Sequence, residues 1–183
     1  MSLVISGDTS GSVTVAVPAV AGTNTVTIPA TTGTVMVSSN MPAFLAYLNV
    51  DQTISNSTQT KIQYGSEYFD TNNNYDSTTN YRFTPTVAGY YQINGTLQIQ
   101  GNATGTLQLS IFKNGSRYIG LSGVLNSALL NPITSGSAIV YCNGTTDYIE
   151  LYVFQSSGGN LSIYGLGSSG GQNYFSASMV RAA

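Results

Sequence analysis

The feature that most restricts this chain is a two-residue alternation of apolar and polar side chains. It comes in short runs broken by Gly, Asn and Ser, with no stretch of sustained helical spacing. Residues 90–100 are the clearest instance. Tyr91, Ile93, Leu97 and Ile99 fall on one face of an extended strand, and Gln92, Asn94, Gln98 and Gln100 on the other. Successive side chains of a strand point to opposite faces, so this segment has one dry face and one wet face. Residues 105–113 repeat the pattern with Leu107, Leu109 and Ile111 inward. Asn114-Gly115 then supplies the left-handed backbone of a tight hairpin before 117–121 returns. Asn143-Gly144 marks another turn, between strands expected at 138–142 and 148–154. The expected class is all-β.

The strand at 148–154 is apolar on both sides. Ile149, Leu151 and Val153 share one face, and Tyr148, Tyr152 and Phe154 share the other with Glu150. A sandwich hides only one face of each sheet, so the second is expected to meet another subunit, which makes Tyr148, Tyr152 and Phe154 the candidate self-contact. The alternative is an inner strand lying under a long loop. Thirteen tyrosines suit subunit contact, because the ring buries a large area and tolerates a wet edge.

Only 7% of the residues are charged, roughly a quarter of the ordinary share, so solubility rests on Ser, Thr, Asn and Gln. The net charge is −2, and Lys61, Arg82, Lys113, Arg117 and Arg181 are scattered singly, a distribution unsuited to a nucleic-acid backbone. Residues 1–10 have neither a basic start nor an apolar run, and no segment reaches the length of a membrane span. The expectation is a protein made in a host cytoplasm without membrane insertion. Cys142 is the single cysteine and follows an apolar run, as a buried inert thiol does.

Catalysis finds little footing. The chain has no His, which removes the commonest general base and any Ser-His-Asp arrangement. Asp147 and Glu150 are three apart on a strand and point to opposite faces. Asp70, Asn72, Asn74 and Asp76 alternate in one loop and could offer oxygens to Ca²⁺, but the same residue types are what a solvated turn requires. No enzyme activity, metal or cofactor is expected.

Two regions separate near residues 38–40. Residues 1–39 are rich in Thr, Val and Gly and hold no Tyr or Phe, whereas aromatics run through 40–183. In the first region, strands are expected at 12–17, 25–28 and 34–37. Three such short strands bury too little to stand alone, so this is expected to be an attachment module. Val4, Val13, Val15, Val17, Val26, Ile28, Val35 and Val37 are its candidate contacts.

Residues 41–181 resemble the globular heads of complement and the tumour-necrosis-factor-like jelly rolls. Pro42-Ala43-Phe44 is similar to their opening strand, and Phe83-Thr84-Pro85-Thr86-Val87-Ala88-Gly89-Tyr90-Tyr91 to their central Phe, five residues, Gly-x-Tyr. Lys113-Asn114-Gly115, Asp147-Tyr148-Ile149 and Tyr174-Phe175-Ser176-Ala177 resemble the later landmarks, with Asn80 and Ile93 departing from the pattern. The resemblance implies a ten-stranded jelly-roll sandwich forming a homotrimer. Residues 11–37 separately resemble a β module of tailed-phage structural proteins, through Gly11-Ser12-Val13-Thr14-Val15 and Pro18–Val35.

Together these imply a bacteriophage virion surface protein, partnered with itself and with the major capsid protein or another virion protein. Two roles remain open: a capsid decoration (cement) protein, or a short tail fibre whose tip grips a host surface glycan or protein. Thirty-nine extended residues reach at most about 130 Å, and there is no heptad or Gly-x-y stalk, which suits decoration. For the fibre tip, loops 72–81 and 167–174 are the candidate contacts, with Tyr75, Tyr81 and Tyr174.

Overall fold

The structure is a computed structural model that describes residues 3–16, 18–20, 22, 23, 25, 30, 33, 35–100, 102–165 and 173–183. The chain divides into two units, Met1–Gly33 and Thr34–Ala183.

In the first unit, β1 (Leu3–Ser6) pairs antiparallel with β2 (Ser12–Val15), Ile5 opposite Val13 and Val4 opposite Thr14. The turn closes through Gly7 N donating to Gly11 O, with Gly11 in the left-handed region at φ 80°. Of the three strands expected here, 12–17 is thus present over its first four residues, and its partner is the segment 3–6. The strand at 25–28 lies outside the described residues apart from Thr25. Residues 35–37 are not a strand. Asn40, in a short 3-10 turn at Ser38–Asn40, accepts from Val37 N and donates to Val35 O, so a side chain takes the backbone groups that a ladder would have used. This segment belongs with the second unit, where Met36 packs on the core.

The second unit is a sandwich of two sheets. One holds β3 (Ala43–Tyr47), β4 (Gln52–Ile54), β6 (Ser66–Asp70), β9 (Gly89–Gln100), β12 (Ile133–Cys142), β14 (Leu161–Ile163) and β15 (Tyr174–Ala182), in the order β4-β14-β9-β15-β3-β6 with β12 also on β9. The other holds β5 (Thr60–Lys61), β7 (Tyr75–Asp76), β8 (Arg82–Phe83), β10 (Asn102–Lys113), β11 (Ser116–Leu130) and β13 (Ile149–Gln155), in the order β11-β10-β13-β8-β7 with β5 also on β13. The count exceeds the expected ten because β5, β7 and β8 are two-residue pieces, too short to carry an alternation.

The inner faces are those the alternation assigned. Tyr91, Ile93, Leu97 and Ile99 of β9 are fully buried, and Leu107, Leu109 and Ile111 of β10 and Ile149, Leu151 and Val153 of β13 close the core from the other sheet. Each such aliphatic side chain contributes about 1.5–3 kcal/mol relative to exposure. At one end an aromatic cluster replaces them: Phe44 stacks on Tyr75 at 4.6 Å and meets Phe175 edge-on at 4.9 Å. Asn114 (φ 54°) and Gly115 (φ 75°) form the β10–β11 hairpin as expected. The Asn143-Gly144 turn joins strands of different sheets and is a crossing between layers.

The Phe83-to-Tyr91 motif acquires a physical reason. The two rings meet at 5.3 Å, the Tyr91 hydroxyl donates to Val87 O at 2.7 Å, and Gly89 lets β15 approach closely. Cys142 is buried, and burial pushes its thiol up to about 11, so it stays protonated and inert. No helix among the described residues is long and apolar enough to cross a membrane.

Candidate docking surfaces

The β1–β2 hairpin is amphipathic. By register, Ile5, Val13 and Val15 share one face, and Val4, Ser6, Ser12 and Thr14 the other. Among the described residues of its unit nothing covers the apolar face: Ile5, Val13 and Val15 are all exposed, Val13 by 66%. A two-stranded sheet is marginal in water by itself, and among the described residues of its unit this one has no second layer. Among the other candidate attachment residues, Val4, Val35 and Val37 are exposed, Val35 by 81%. Val17, Val26 and Ile28 lie outside the described residues.

The second face of β13 has partners within the chain. Tyr152 stacks on Phe112 of β10 at 3.9 Å, and Arg82 of β8 lies 4.3 Å from the Tyr148 ring centroid. Glu150, only 4% exposed, meets Lys61 of β5 at 2.7 Å. Tyr148, Tyr152 and Phe154 are half-buried as a result.

The outer face of the seven-stranded sheet is more open. Tyr90 and Tyr141 are register partners with ring centroids 5.4 Å apart, and next to them Ile139, paired with Gln92, is 55% exposed. Ile133, Tyr174 and Val180 are exposed on the same sheet, and Tyr68 of β6 packs on Tyr47 at 4.5 Å while still exposed. Around these lie neutral polar side chains such as Gln92, Asn94, Ser176 and Ser178. Arg181 lies 5.9 Å from the Tyr90 ring centroid and Lys113 5.6 Å from that of Tyr141, so the aromatic and aliphatic groups have a mostly neutral polar rim with two cations, the anatomy of a protein–protein contact. The sequence carries a signal for it: 138–142 is apolar throughout, so β12 shows Val140 and Cys142 inward while Ile139 and Tyr141 face out.

The 70–76 loop is a turn that consumes its own carboxylates. Asp70 accepts from the backbone N–H of Asn72 and Tyr75, and Asp76 from those of Thr78, Thr79 and Asn80 and from the Asn80 amide. The backbone N–H of Thr79, with those of Thr78 and Asn80, holds the Asp76 carboxyl far below the ordinary carboxylate value despite partial burial. Among the described residues no group of His, Cys, Asp and Glu is placed to hold a metal ion. Tyr75 is not a contact residue of this loop. It is 5% exposed, stacked in the core, with its hydroxyl donating to Tyr64 O at 3.0 Å. Tyr81 is half-buried on left-handed backbone (φ 50°), and Tyr174 opens β15 on the sheet face. The rest of the 167–172 loop lies outside the described residues. Asp147 is buried with Lys113 at 2.9 Å. Burial raises its carboxyl, but hydrogen bonds from Asn114 and Lys113, the Asn143 N–H and the Lys113 charge outweigh that and hold it low. Asp147 and Glu150 thus belong to separate ion pairs.

Two polar grooves complete the surface. One of about 490 Å³ borders the 73–80 turn and includes Glu67, Asp76 and Arg82. Another of about 680 Å³ crosses β4, β14 and β9, and no motif had pointed to it.

No family model matches the sequence. No curated protein matches it either. Solved structures do. The globular domain of zebrafish complement 1qA is 16% identical with a TM-score of 0.53, covering 78% of this chain and 99% of its own. Eiger TNF from S. frugiperda is 7% identical with a TM-score of 0.55, covering 79% and 95%. The PRD1 vertex protein P5 is 15% identical with a TM-score of 0.52, covering 78% and 98%. At such low identity these likenesses speak for the fold: the larger unit is a jelly-roll sandwich of the kind seen in complement heads and TNF-like proteins.

Proposed function

We propose that this chain is a non-enzymatic, homotrimeric surface protein of a bacteriophage particle, acting as a capsid decoration protein attached through its N-terminal unit. The observation that carries the reading is the β1–β2 hairpin, whose Ile5, Val13 and Val15 are presented on one face with nothing among the described residues of that unit to bury them. Such a face is stable in water only against another body. The fold likeness to the PRD1 vertex protein supports a place on a particle, as does the resemblance of residues 11–37 to a tailed-phage module. Self-association is assigned to the outer face of the seven-stranded sheet, around Tyr90, Ile139 and Tyr141, rather than to Tyr148, Tyr152 and Phe154, of which Tyr152 and Tyr148 have ring partners in their own chain.

The test is the double variant Ile5→Asp/Val13→Asp. It removes binding to purified particles lacking the protein, while sedimentation of the free protein stays that of wild type. Unchanged occupancy on the particles would refute attachment through the hairpin.

A second reading, a receptor-binding tip, is favoured by one specific observation, the pair of polar grooves on the larger unit. In that case the purified protein binds host cells and competes with infection.

A further inference from the structure

The 680 Å³ groove is within the size range of small-ligand sites and has an unusual lining. Thr53, Ser162 and Gln100 are register partners across β4, β14 and β9. Their side chains therefore form a row stepping about 4.8 Å from strand to strand. Asn131, Asn160 and Tyr164 line the rest, with Leu161 beside them. None of the described lining residues is charged. Along β9 the groove is ten residues from Tyr90, roughly 33 Å, so it lies at the far end of the strand from the proposed self-contact.

The polar groups are held in place from behind. Gln100 Nε2 donates to Asp51, whose other oxygen accepts from Gly165 N at 2.8 Å. Asn160 Oδ1 accepts from Asn56 N at 3.2 Å, and the Tyr164 hydroxyl donates to Asn131 Oδ1 at 3.2 Å. The Ser162 hydroxyl donates to Gln52 O at 3.3 Å. An amide or hydroxyl anchored by one bond still offers its remaining donors and acceptors, here the Gln100 Oε1, the Asn160 Nδ2 and the Thr53 hydroxyl.

The lining selects among ligand classes. A phosphate or nucleic-acid backbone needs cations, and a divalent cation needs carboxylates; the groove has neither. An apolar ligand would strand the amides and hydroxyls without partners. What remains is a neutral, polyhydroxylated ligand, whose hydroxyls both donate and accept and whose C–H faces lie against Leu161 and the Tyr164 ring. The 490 Å³ groove differs on each count, with Glu67 and Arg82 in its wall and Asp76 spent on its own turn. We propose that the β4–β14–β9 groove binds a neutral saccharide; this rests on the receptor-binding reading and gives that reading a site.

Full-length protein is titrated with lactose, maltotriose and diacetylchitobiose, and with anionic sialyllactose, by saturation-transfer NMR and calorimetry. In parallel its co-sedimentation with host cells is measured. The expected result is millimolar binding of at least one neutral sugar, about tenfold weaker in Gln100→Ala and in Thr53→Val and unchanged in Ser77→Ala of the other groove. Melting curves identify any variant that fails to fold, and the two groove variants are read independently. Absence of binding by all three neutral sugars, binding of sialyllactose alone, or equal affinity in wild type and both groove variants overturns the proposal. If wild type and Gln100→Ala then bind cells equally, the groove assignment falls while receptor binding stands. If neither sugars nor cells are bound, both fall.

Discussion

Asp76 shows how a chain so poor in charge uses the few it has. Its carboxylate closes the turn that carries the chain from β7 to β8, accepting three backbone N–H groups and the Asn80 amide. Hydrogen bonds to a charged acceptor contribute more than neutral ones, so Asp76→Ala should cost about 1–3 kcal/mol in urea unfolding. The pH dependence follows from the direction of the shift. A carboxyl held low in the folded state contributes stability that is fully present above its unfolded value near ~4, and loses it as pH falls toward the folded value. Asp147, also held low, adds in the same direction. With no histidine, no side chain of ordinary pKa titrates between about pH 5 and 8, so stability should be nearly flat there and fall in acid, and Asp76→Ala should shallow the acid slope. A slope equal to that of wild type would count against this role. The Asp and Asn residues of the loop were legible as turn formers because turn chemistry is local. Tyr75 was not, because its burial comes from Phe44 and the Tyr64 carbonyl, which are near it only in the folded sheet pair.

Strands were legible where alternation was strong, as in β9, β10 and β13, whose inward residues match those read from spacing. They were illegible where the partner rather than the pattern makes the strand. β5, β7 and β8 are two residues each and exist through pairing to β13 and to each other. Residues 35–37 had the right composition for a strand, yet Asn40 satisfies their backbone instead. Between these extremes lies Gly89, whose motif was visible and whose reason is steric. A Cβ there would be 2.5 Å from Arg181 O and 3.0 Å from the Met179 methyl, and the first of these is backbone and cannot swing away. Gly89 opens β9 opposite Ala182, at the end of β15 just beyond a bulge between Met179 and Arg181. Gly89→Ala should therefore prise the end of β15 from β9 and destabilise the fold by about 1–3 kcal/mol. Faster amide exchange at 179–182, with little change at 174–176, is the signature; uniform exchange would mean that the strand end gives way without consequence.

At the scale of the molecule, a sandwich has two outer faces, and the sequence reading put another copy on that of β13, at Tyr148, Tyr152 and Phe154. Both β12 and β13 are apolar on two sides, so the same argument applied to each. What separates them is cross-strand company. Beside β13 stand Phe112, Lys61 and Arg82, which meet Tyr152, Glu150 and Tyr148 within one chain, whereas Ile139 of β12, paired with Gln92 of β9, is left 55% exposed. Arg181 and Lys113 lie 5.9 and 5.6 Å from the rings of Tyr90 and Tyr141, so what leaves this face unfinished is Ile139, bare beside the tyrosine pair. The two faces therefore predict opposite outcomes for the same substitution. Ile139→Asp buries a carboxylate without a partner in each subunit contact, a penalty of about 3–5 kcal/mol that should dissociate the assembly. Phe154→Asp adds the same charge to a surface that already borders solvent, and should leave the assembly intact. Sedimentation velocity at micromolar concentration checks both, with wild type as the reference. A trimer that survives Ile139→Asp and breaks with Phe154→Asp would move the contact to the six-stranded sheet. A wild-type protein that sediments as a monomer would leave the tyrosine-rich face without an occupant.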